Sequence, residues 1–269
     1  MSVGKTLRFS RLFDPASKTA LVVPMDHPVE GYFQELANPT GLIASLANEG
    51  PNAFLLRRGT AESAASAYAG KASLILRVTN ATGLRNRMLE QTYTTSVEEA
   101  IRLGADAVAP NIFVGSDREV ENLHNLGMLK DACDEWGMPL LVEAMPVGGE
   151  GALPFEGPYS TEDIRLAVRV AAEEGADLVK TYYPGNPEDF RKVTSYSPVP
   201  VIIAGGPKAP KMQDTLKMVY DAMSAGGRGI ALGRKVWGSE SPALMLRTLK
   251  KIVRKRLTPE AALAQSTDE

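Results

Sequence analysis

The sequence predicts an α/β protein, a single (β/α)₈ TIM barrel, from three observations. Short apolar runs alternate with amphipathic stretches along the whole chain, which favours parallel strands covered by helices. The length of 269 residues is close to that of one such barrel, and a hydrophobic content of 44% is enough for a large core. No glycine-rich dinucleotide fingerprint follows the first strand, so a doubly wound open sheet is the weaker alternative. We therefore interpret residues 1–269 as one barrel domain, with 258–269 as a short helix and a frayed end.

Eight apolar runs are strand candidates, the number that a closed barrel requires. In chain order they are TALVVPMDHP, NAFLLRRG, ASLILRVTN, ADAVAPNIF, PLLVEAMPVG, ADLVKTYYPG, VPVIIAGGP and GRGIALGRKVW. The spacers between them carry helical periodicity, as in SVEEAIRLG, STEDIRLAVRVAAEEG and MQDTLKMVYDAMSAG, often with a Ser or Thr cap and a closing Gly. The phrase Gly-Ala-Asp precedes two of the strands, at 104–106 and 175–177, and predicts a repeated αβ turn. The glycine- and proline-rich stretch 147–159 is expected to be a mobile loop over the active face.

Composition and charge argue against several classes of protein. A net charge of −2 with no basic block makes nucleic acid an unexpected partner. No apolar run is long enough to span a membrane, and the amino-terminal stretch lacks the apolar core of a signal peptide. Cys133 is the single cysteine, so no internal disulfide can form and a cytoplasmic location is expected. His27 and His124 are far apart and no CxxC occurs, so we expect neither a metal nor a cofactor.

Lys180 is the leading catalytic candidate because it ends the apolar run of the sixth strand. The carboxyl ends of barrel strands converge on one mouth, where a partly desolvated ammonium loses its proton more readily. A neutral amine can attack a ketone and form an iminium that withdraws electrons from the adjacent bond. The alternative is a structural lysine that reaches the rim or pairs with a carboxylate, and position alone does not choose between them.

Asp26 and Glu143 are the candidate proton-transfer carboxylates. Asp26 ends the first strand, so it is expected to face the mouth and accept a proton from a substrate hydroxyl, or else to cap the Pro24–Pro28 bend. Glu143 lies inside the fifth strand, where a carboxylate is costly unless it is paired or functional. Lys180 on the next strand is its expected partner, and the pair could tune the amine, relay a proton or only satisfy two charges.

Glycines after the last two strands indicate a phosphate site. Glycine lets backbone N–H groups approach an anion, and the loops after strands seven and eight are the usual phosphate position in a barrel. An arginine there would add a bidentate contact. These residues are Gly205, Gly206, Gly233 and Arg234, with Lys208 as an accessory. Three more arginines end the second and third strands: Arg57, Arg58 and Arg77. One of them could bind substrate, and rim salt bridges are the expected role for at least one.

The motifs MDHP, GADLVKTYYPG, VPVIIAGGPK and GIALGRKVW resemble the archaeal-type class I aldolases over nearly the whole chain. That family includes fructose-bisphosphate aldolases, aminodideoxyheptulosonate synthases and the autoinducer-2-processing thiolase. The resemblance implies that Lys180 is the Schiff-base lysine, Asp26 the active-site aspartate and the two glycine turns with Arg234 the phosphate cradle. It also implies a homo-oligomer, a decamer or pentamer, that acts on a small phosphorylated carbonyl compound.

One departure from the family concerns the tyrosine that its sugar-phosphate aldolases carry near the end of strand five. This chain has Glu143, Ala144 and Met145 there, and methionine cannot transfer a proton. Glu143, Tyr159 or Tyr182 could take over that task, or the reaction could differ. The leading hypothesis is therefore a class I aldolase or transaldol-type synthase; thiolase-like acyl transfer to coenzyme A is the alternative. A non-catalytic barrel that binds a sugar phosphate is disfavoured by Lys180.

Overall fold

The computed structural model describes residues 2–147, 159–206 and 211–268. Lys208 and almost all of the predicted loop at 147–159 lie outside these residues. Within them, no helix is both long and apolar enough to span a bilayer.

The described residues contain nine parallel strands that form a nearly closed barrel, as predicted. Two of the nine are halves of the fourth strand, interrupted at Pro110, so each of the eight apolar runs contains one barrel strand. Proline has no N–H to donate, and this breaks the ladder. The strands are β1 Ala20–Pro24, β2 Ala53–Leu56, β3 Ser73–Arg77, β4 in two segments Ala107–Ala109 and Asn111–Val114, β5 Leu141–Pro146, β6 Leu178–Thr181, β7 Val201–Ala204 and β8 Gly229–Ala231.

The strand order explains how the barrel closes. Each strand pairs with the next in sequence from β1 to β3, β3 pairs with the first half of β4, and the second half of β4 pairs with β5. The pairing continues from β5 through β8 and back to β1. A bridge between Val108 and Leu140 joins the first half of β4 to the residue just before β5, and the Glu143 N–H donates to the Pro110 carbonyl at 3.0 Å. All carboxyl ends therefore surround one mouth.

Helices pack around the barrel. Both Gly-Ala-Asp turns occur as predicted, with Gly104 and Gly175 at positive φ after the helices Val97–Arg102 and Thr161–Glu173. The tail contains the expected short helix, Pro259–Thr267. The helices are α1 Val3–Arg11, α2 Pro39–Ala47, α3 Arg58–Ser63, α4 Ala65–Tyr68, α5 Val97–Arg102, α6 Glu119–Trp136, α7 Thr161–Glu173, α8 Pro187–Tyr196, α9 Met212–Ser224, α10 Arg234–Trp237, α11 Pro242–Lys255 and α12 Pro259–Thr267.

The apolar core has two parts, which follow from strand alternation. Outward-facing strand residues such as Phe54 and Val179 pack against the helices. Every barrel strand also contributes to an inner cluster, which includes Leu141, Leu178 and Ile202. Leu12, just after α1, belongs to this inner cluster and fills the end of the barrel opposite the mouth, with Phe9 and Phe13 packed against it. The lower barrel is therefore a packed core, and the polar site lies above it.

Candidate active site

The polar site occupies the layer directly above the inner apolar cluster. Alternate residues of a strand face the same side. Glu143 and Met145 therefore face the inside of the barrel, as Leu141 does. Lys180 and Tyr182 face inward in the same way as Leu178. These side chains open on one cavity at the carboxyl ends of the strands. The cavity residues that sequence analysis had singled out are Asp26, Arg77, Glu143, Lys180, Tyr182, Gly205, Gly206, Gly233 and Arg234.

Lys180 and Glu143 form a buried ion pair, as predicted. The Lys180 Nζ atom donates to Glu143 Oε1 at 2.6 Å, and each residue is only 6% exposed. The contact is set by the sheet, because Glu143 and Lys180 are register partners on the parallel strands β5 and β6. Burial alone would raise the pKa of Glu143, but the charges of Lys180 and Arg77 lower it. Glu143 is therefore ionised at neutral pH and accepts the hydrogen bond of the Lys180 ammonium.

Arg77 is a central member of the site, 2% exposed and far from the rim. Its guanidinium donates to Glu143 Oε2, to Asn111 Oδ1 and, through Nε, to Asp26 Oδ2 at 2.7 Å. Burial opposes its charge, yet Glu143 and Asp26 raise its pKa, so it stays protonated. Arg77 is therefore not a rim residue; the prediction of rim salt bridges was made for at least one of the three strand-end arginines and not for Arg77 in particular. The cause is alternation, which directs Arg77 inward two residues after Ile75.

Asp26 lies at the mouth just after β1 and is 4% exposed. Burial raises the pKa of a carboxyl, but here the charges of Arg77 and Lys180 hold the pKa of Asp26 well below its usual range. Arg57 fixes the local backbone, because its Nε donates to the Asp26 carbonyl at 2.8 Å. Asp26 has no side-chain hydrogen bond to the short 3₁₀ helix His27–Val29 that follows it. Among the described contacts, its carboxylate serves the polar site and does not cap the turn.

The glycine turns after β7 and β8 line the same cavity. Gly206 adopts a φ of +64°, which favours glycine, and Gly233 is wedged between neighbours. A Cβ on Gly233 would lie 2.6 Å from the Pro24 carbonyl oxygen and 2.6 Å from His27 Cε1. Arg234 follows, and its buried Nε finds no hydrogen-bond acceptor among the described residues. An orphaned guanidinium nitrogen beside two glycine turns fits an anion.

The position of the expected strand-five tyrosine is filled by Met145, which lines the cavity and carries no proton. Tyr182, two residues beyond Lys180, lines the cavity as well. Its ring stacks on Tyr159 with centroids 4.5 Å apart and planes inclined by 5°. Burial and the neighbouring Tyr159 raise the pKa of Tyr182 well above its usual value. Of the two tyrosines considered from the sequence, Tyr182 thus contacts the cavity as a neutral phenol.

Two titratable cavity residues, His27 and Glu30, were not identified as functional from the sequence, and neither was Asn111, which contacts Arg77. His27 lines the cavity and packs against Trp237, and burial lowers its pKa to about 4. Glu30 lies three residues further along, and burial with the nearby Asp26 charge raises its pKa to about 7. Neither ends an apolar run, because β1 stops at Pro24. The one available signal was their nearness to Asp26 in a short loop after a strand.

Among the described residues, no three His, Cys, Asp or Glu side chains lie together in a way that could hold a metal ion. The polar cluster consists instead of alternating charges, with two cations and two carboxylates in contact: Lys180, Glu143, Arg77 and Asp26.

Curated relatives cover almost the whole chain. It is 34% identical to a 3-hydroxy-5-phosphonooxypentane-2,4-dione thiolase from Klebsiella pneumoniae, over 96% of this chain and 84% of that one. It is 31% identical to a 2-amino-4,5-dihydroxy-6-oxo-7-(phosphonooxy)heptanoate synthase from Streptomyces griseus, over 97% and 94% of the two chains. It is also 34% identical to a 2-amino-3,7-dideoxy-D-threo-hept-6-ulosonate synthase from Halobacterium salinarum, over 98% and 96%.

Solved structures show the same fold. An archaeal fructose 1,6-bisphosphate aldolase matches with a TM-score of 0.84 and 31% identity, covering 93% of this chain and 99% of that one. A Schiff-base-forming fructose-1,6-bisphosphate aldolase matches with the same TM-score, 32% identity and the same coverage. The family model described as DeoC/LacD family aldolase matches residues 20–239, which include every barrel strand and all the polar residues described above. The chain therefore belongs to the DeoC/LacD aldolase family of enzymes.

Proposed function

We propose that this protein is a class I aldolase that cleaves or forms a carbon–carbon bond in a small phosphorylated ketose or related carbonyl compound. The observation that carries the proposal is the Lys180 Nζ atom, buried in the cavity and 2.6 Å from the carboxylate of Glu143. The family and the Schiff-base mechanism named for a relative 32% identical support it.

In this proposal Lys180 is the nucleophile. Glu143 accepts a proton from the ammonium, and the neutral amine then attacks the substrate carbonyl carbon. Glu143 returns that proton to the carbinolamine hydroxyl, which leaves as water. The resulting iminium draws electrons from the neighbouring carbon–carbon bond. Arg77 keeps Glu143 oriented and compensates its charge while the proton moves.

Asp26 and the glycine turns act on the rest of the substrate. Asp26, held ionised by Arg77, accepts the hydrogen bond and then the proton of the substrate hydroxyl as the carbon–carbon bond breaks. Backbone N–H groups at Gly205, Gly206 and Gly233 and the guanidinium of Arg234 bind the phosphate. The orphaned Arg234 Nε supports this assignment.

Covalent trapping tests the proposal. Phosphorylated ketoses and aldehydes are incubated with the enzyme in the presence of sodium borohydride, which reduces an iminium to a stable amine. We expect mass spectrometry to find the adduct on the peptide that contains Lys180. An adduct on another lysine, or no adduct while the enzyme stays active in borohydride, would contradict the proposal.

Thiolase-like acyl transfer to coenzyme A from a phosphorylated diketone is the second candidate. Two observations favour it: the 34% identity to a thiolase, and Met145 in place of the tyrosine of sugar-phosphate aldolases. Parallel incubations with and without coenzyme A separate the two functions. A transaldol-type synthase, in turn, would need an acceptor aldehyde and would release no free ketone.

We also propose that the enzyme needs no metal or cofactor, because the iminium itself withdraws the electrons.

A homo-oligomer, a decamer or pentamer, is proposed from the family resemblance and is testable by light scattering. A cytoplasmic site of action is supported by the single, buried and free thiol of Cys133.

A further inference from the structure

Glu30 is held at the mouth by its backbone. After β1 the chain forms the 3₁₀ helix His27–Val29, and the Glu30 N–H donates to the His27 carbonyl at 2.8 Å. The neighbouring Val29 carbonyl accepts from the Gly83 N–H at 2.9 Å. A Cβ on Gly83 would lie 1.9 Å from the Glu30 carbonyl oxygen, so only glycine permits this close approach. The backbone at Glu30 is therefore held in place by two segments of the chain.

The Glu30 carboxyl faces the same cavity as Lys180, but its surroundings differ from those of the other two carboxyls. Asp26 and Glu143 each contact a cation. No salt bridge joins Glu30 to a cation in the part of the chain that the structure describes. Burial and the Asp26 charge raise its pKa to about 7. The charged groups around it are Asp26 after β1, Arg57 after β2, Glu143 on β5, Lys180 on β6 and Arg234 at the start of α10.

The other groups in the cavity are poorly suited to carry a proton in both directions. Asp26 and Glu143 have lowered pKa values and give up a proton readily once they have received it. Tyr182 has a raised pKa and does not release one easily. His27, with a pKa of about 4, is neutral at physiological pH. A group that both accepts and donates near neutrality works best when its pKa is close to the ambient pH.

We propose that Glu30 is a catalytic residue that carries the proton between the substrate hydroxyl and the enamine carbon. This inference rests on the proposed aldolase function and adds a role that Lys180, Asp26 and Glu143 leave unfilled. In the cleavage direction, the hydroxyl proton passes to Asp26 as the carbon–carbon bond breaks and the aldehyde forms. The electron pair of that bond moves into the enamine.

The proton then passes from Asp26 to the Glu30 carboxylate. The protonated Glu30 delivers it to the enamine carbon, which regenerates the iminium, and water releases the ketone. One proton leaves the hydroxyl and one reaches carbon, so no other reactant is required. In the reverse direction Glu30 removes the α-proton of the ketone bound to Lys180.

Exchange of that α-proton with solvent isolates the step from carbon–carbon cleavage. The probe is dihydroxyacetone phosphate in D₂O, with loss of the α-proton signal followed by nuclear magnetic resonance. We expect Glu30→Gln to slow exchange by about two to four orders of magnitude. Borohydride trapping of the same probe on Lys180 should continue at the wild-type level, because the iminium forms before the α-proton moves.

The pH profile separates proton transfer from a structural role. Glu30 must be ionised to accept the α-proton, so the wild-type exchange rate should rise with pH through an inflection near 7. Glu30→Gln should lack this inflection, and Glu30→Asp should recover part of the exchange rate. The matched control is Glu35→Gln, an exposed carboxyl on the same loop, which should behave as wild type.

Three results would contradict the role of Glu30 or the aldolase function, and they can be told apart. If Glu30→Gln exchanged the α-proton at the wild-type rate and kept the wild-type pH profile, the role of Glu30 would be overturned. The aldolase proposal would be unaffected. Loss of trapping in Glu30→Gln, with trapping intact in the wild type, would assign Glu30 to iminium formation and also overturn the proposal. No trapping of dihydroxyacetone phosphate on Lys180 in the wild type would contradict an aldolase function toward this ketone and, with it, the step assigned to Glu30.

Discussion

Lys180 and Glu143 are register partners on adjacent parallel strands, and their charged atoms lie 2.6 Å apart above a closed apolar layer. The pair is thus produced by strand alternation and barrel register together. Its chemical importance can be tested by changing one partner or the residues around it.

Lys180→Met should abolish both borohydride trapping and turnover. Methionine fills a similar volume but has no amine, and Arg77 still contacts Glu143 in the variant. Lys180→Arg should also fail, although it keeps the charge, because a guanidinium does not become a neutral nucleophile near pH 7. The matched control is Lys211→Met on the exposed surface, which should keep full activity. Turnover by Lys180→Met would remove the lysine from the mechanism.

Asp26→Asn should lower kcat by about two to four orders of magnitude while the Lys180 adduct still forms. The amide keeps the shape of the side chain but cannot accept the hydroxyl proton. Steady-state kinetics and trapping would be measured on the same preparation. A variant that unfolds at lower temperature yet turns over normally would assign Asp26 to the turn instead.

Arg234→Ala should raise KM for a phosphorylated substrate far more than it lowers kcat. In the proposed binding mode the guanidinium contacts the phosphate equally in the ground and transition states, so its loss removes uniform binding. The measurement is a saturation curve for the substrate found by trapping, and circular dichroism confirms folding. An unchanged KM would show that the phosphate lies elsewhere.

Gly233→Ala should destabilise the protein by about 1–3 kcal/mol and lower activity. The new Cβ would meet the Pro24 carbonyl oxygen at 2.6 Å, and a backbone atom cannot simply rotate away. Gly127→Ala in α6 is the control, because nothing lies within 4 Å of its Cβ position. That helical change should be neutral or stabilising. Equal free energies of unfolding for the two variants would contradict the close packing at Gly233.

Dialysis against EDTA should leave turnover and trapping unchanged, and added Zn²⁺ should not raise either. In the proposed reaction the iminium on Lys180 withdraws the electrons that a metal would otherwise attract. The measurement is the initial rate before and after chelation, with metal content determined in parallel. Loss of activity that Zn²⁺ restores would show that the mechanism depends on a metal.

The barrel could be predicted from the sequence because its strands are short apolar runs with a regular spacing. The positions of Asp26 and Lys180 followed from one rule, that strand carboxyl ends meet at one mouth. The Lys180–Glu143 pair followed from strand adjacency. These inferences needed only the order of the strands.

The contacts of Arg77 and Glu30 could not be predicted from the order of the strands. In the sequence, an arginine at the rim and a buried arginine look alike, because both end a strand. Only the register across the barrel brings Arg77 between Asp26 and Glu143. Glu30 depends on a contact with Gly83, more than fifty positions along the chain. Long-range backbone packing of this kind leaves no periodic signal in one sequence.

The packed lower barrel has a consequence for the order of events at the site. Because Leu12 and the inner cluster close the opposite end, the pocket is blind-ended, and whatever enters through the mouth must leave through it. In the proposed mechanism, a substrate cleaved on Lys180 leaves its ketone fragment covalently attached below, while the aldehyde is free. In that mechanism product release is sequential, with the aldehyde first, and the aldehyde fragment can recombine with the attached enamine until it escapes. In the synthetic direction of the proposed reaction, the closed pocket holds the incoming aldehyde in the space above the bound ketone.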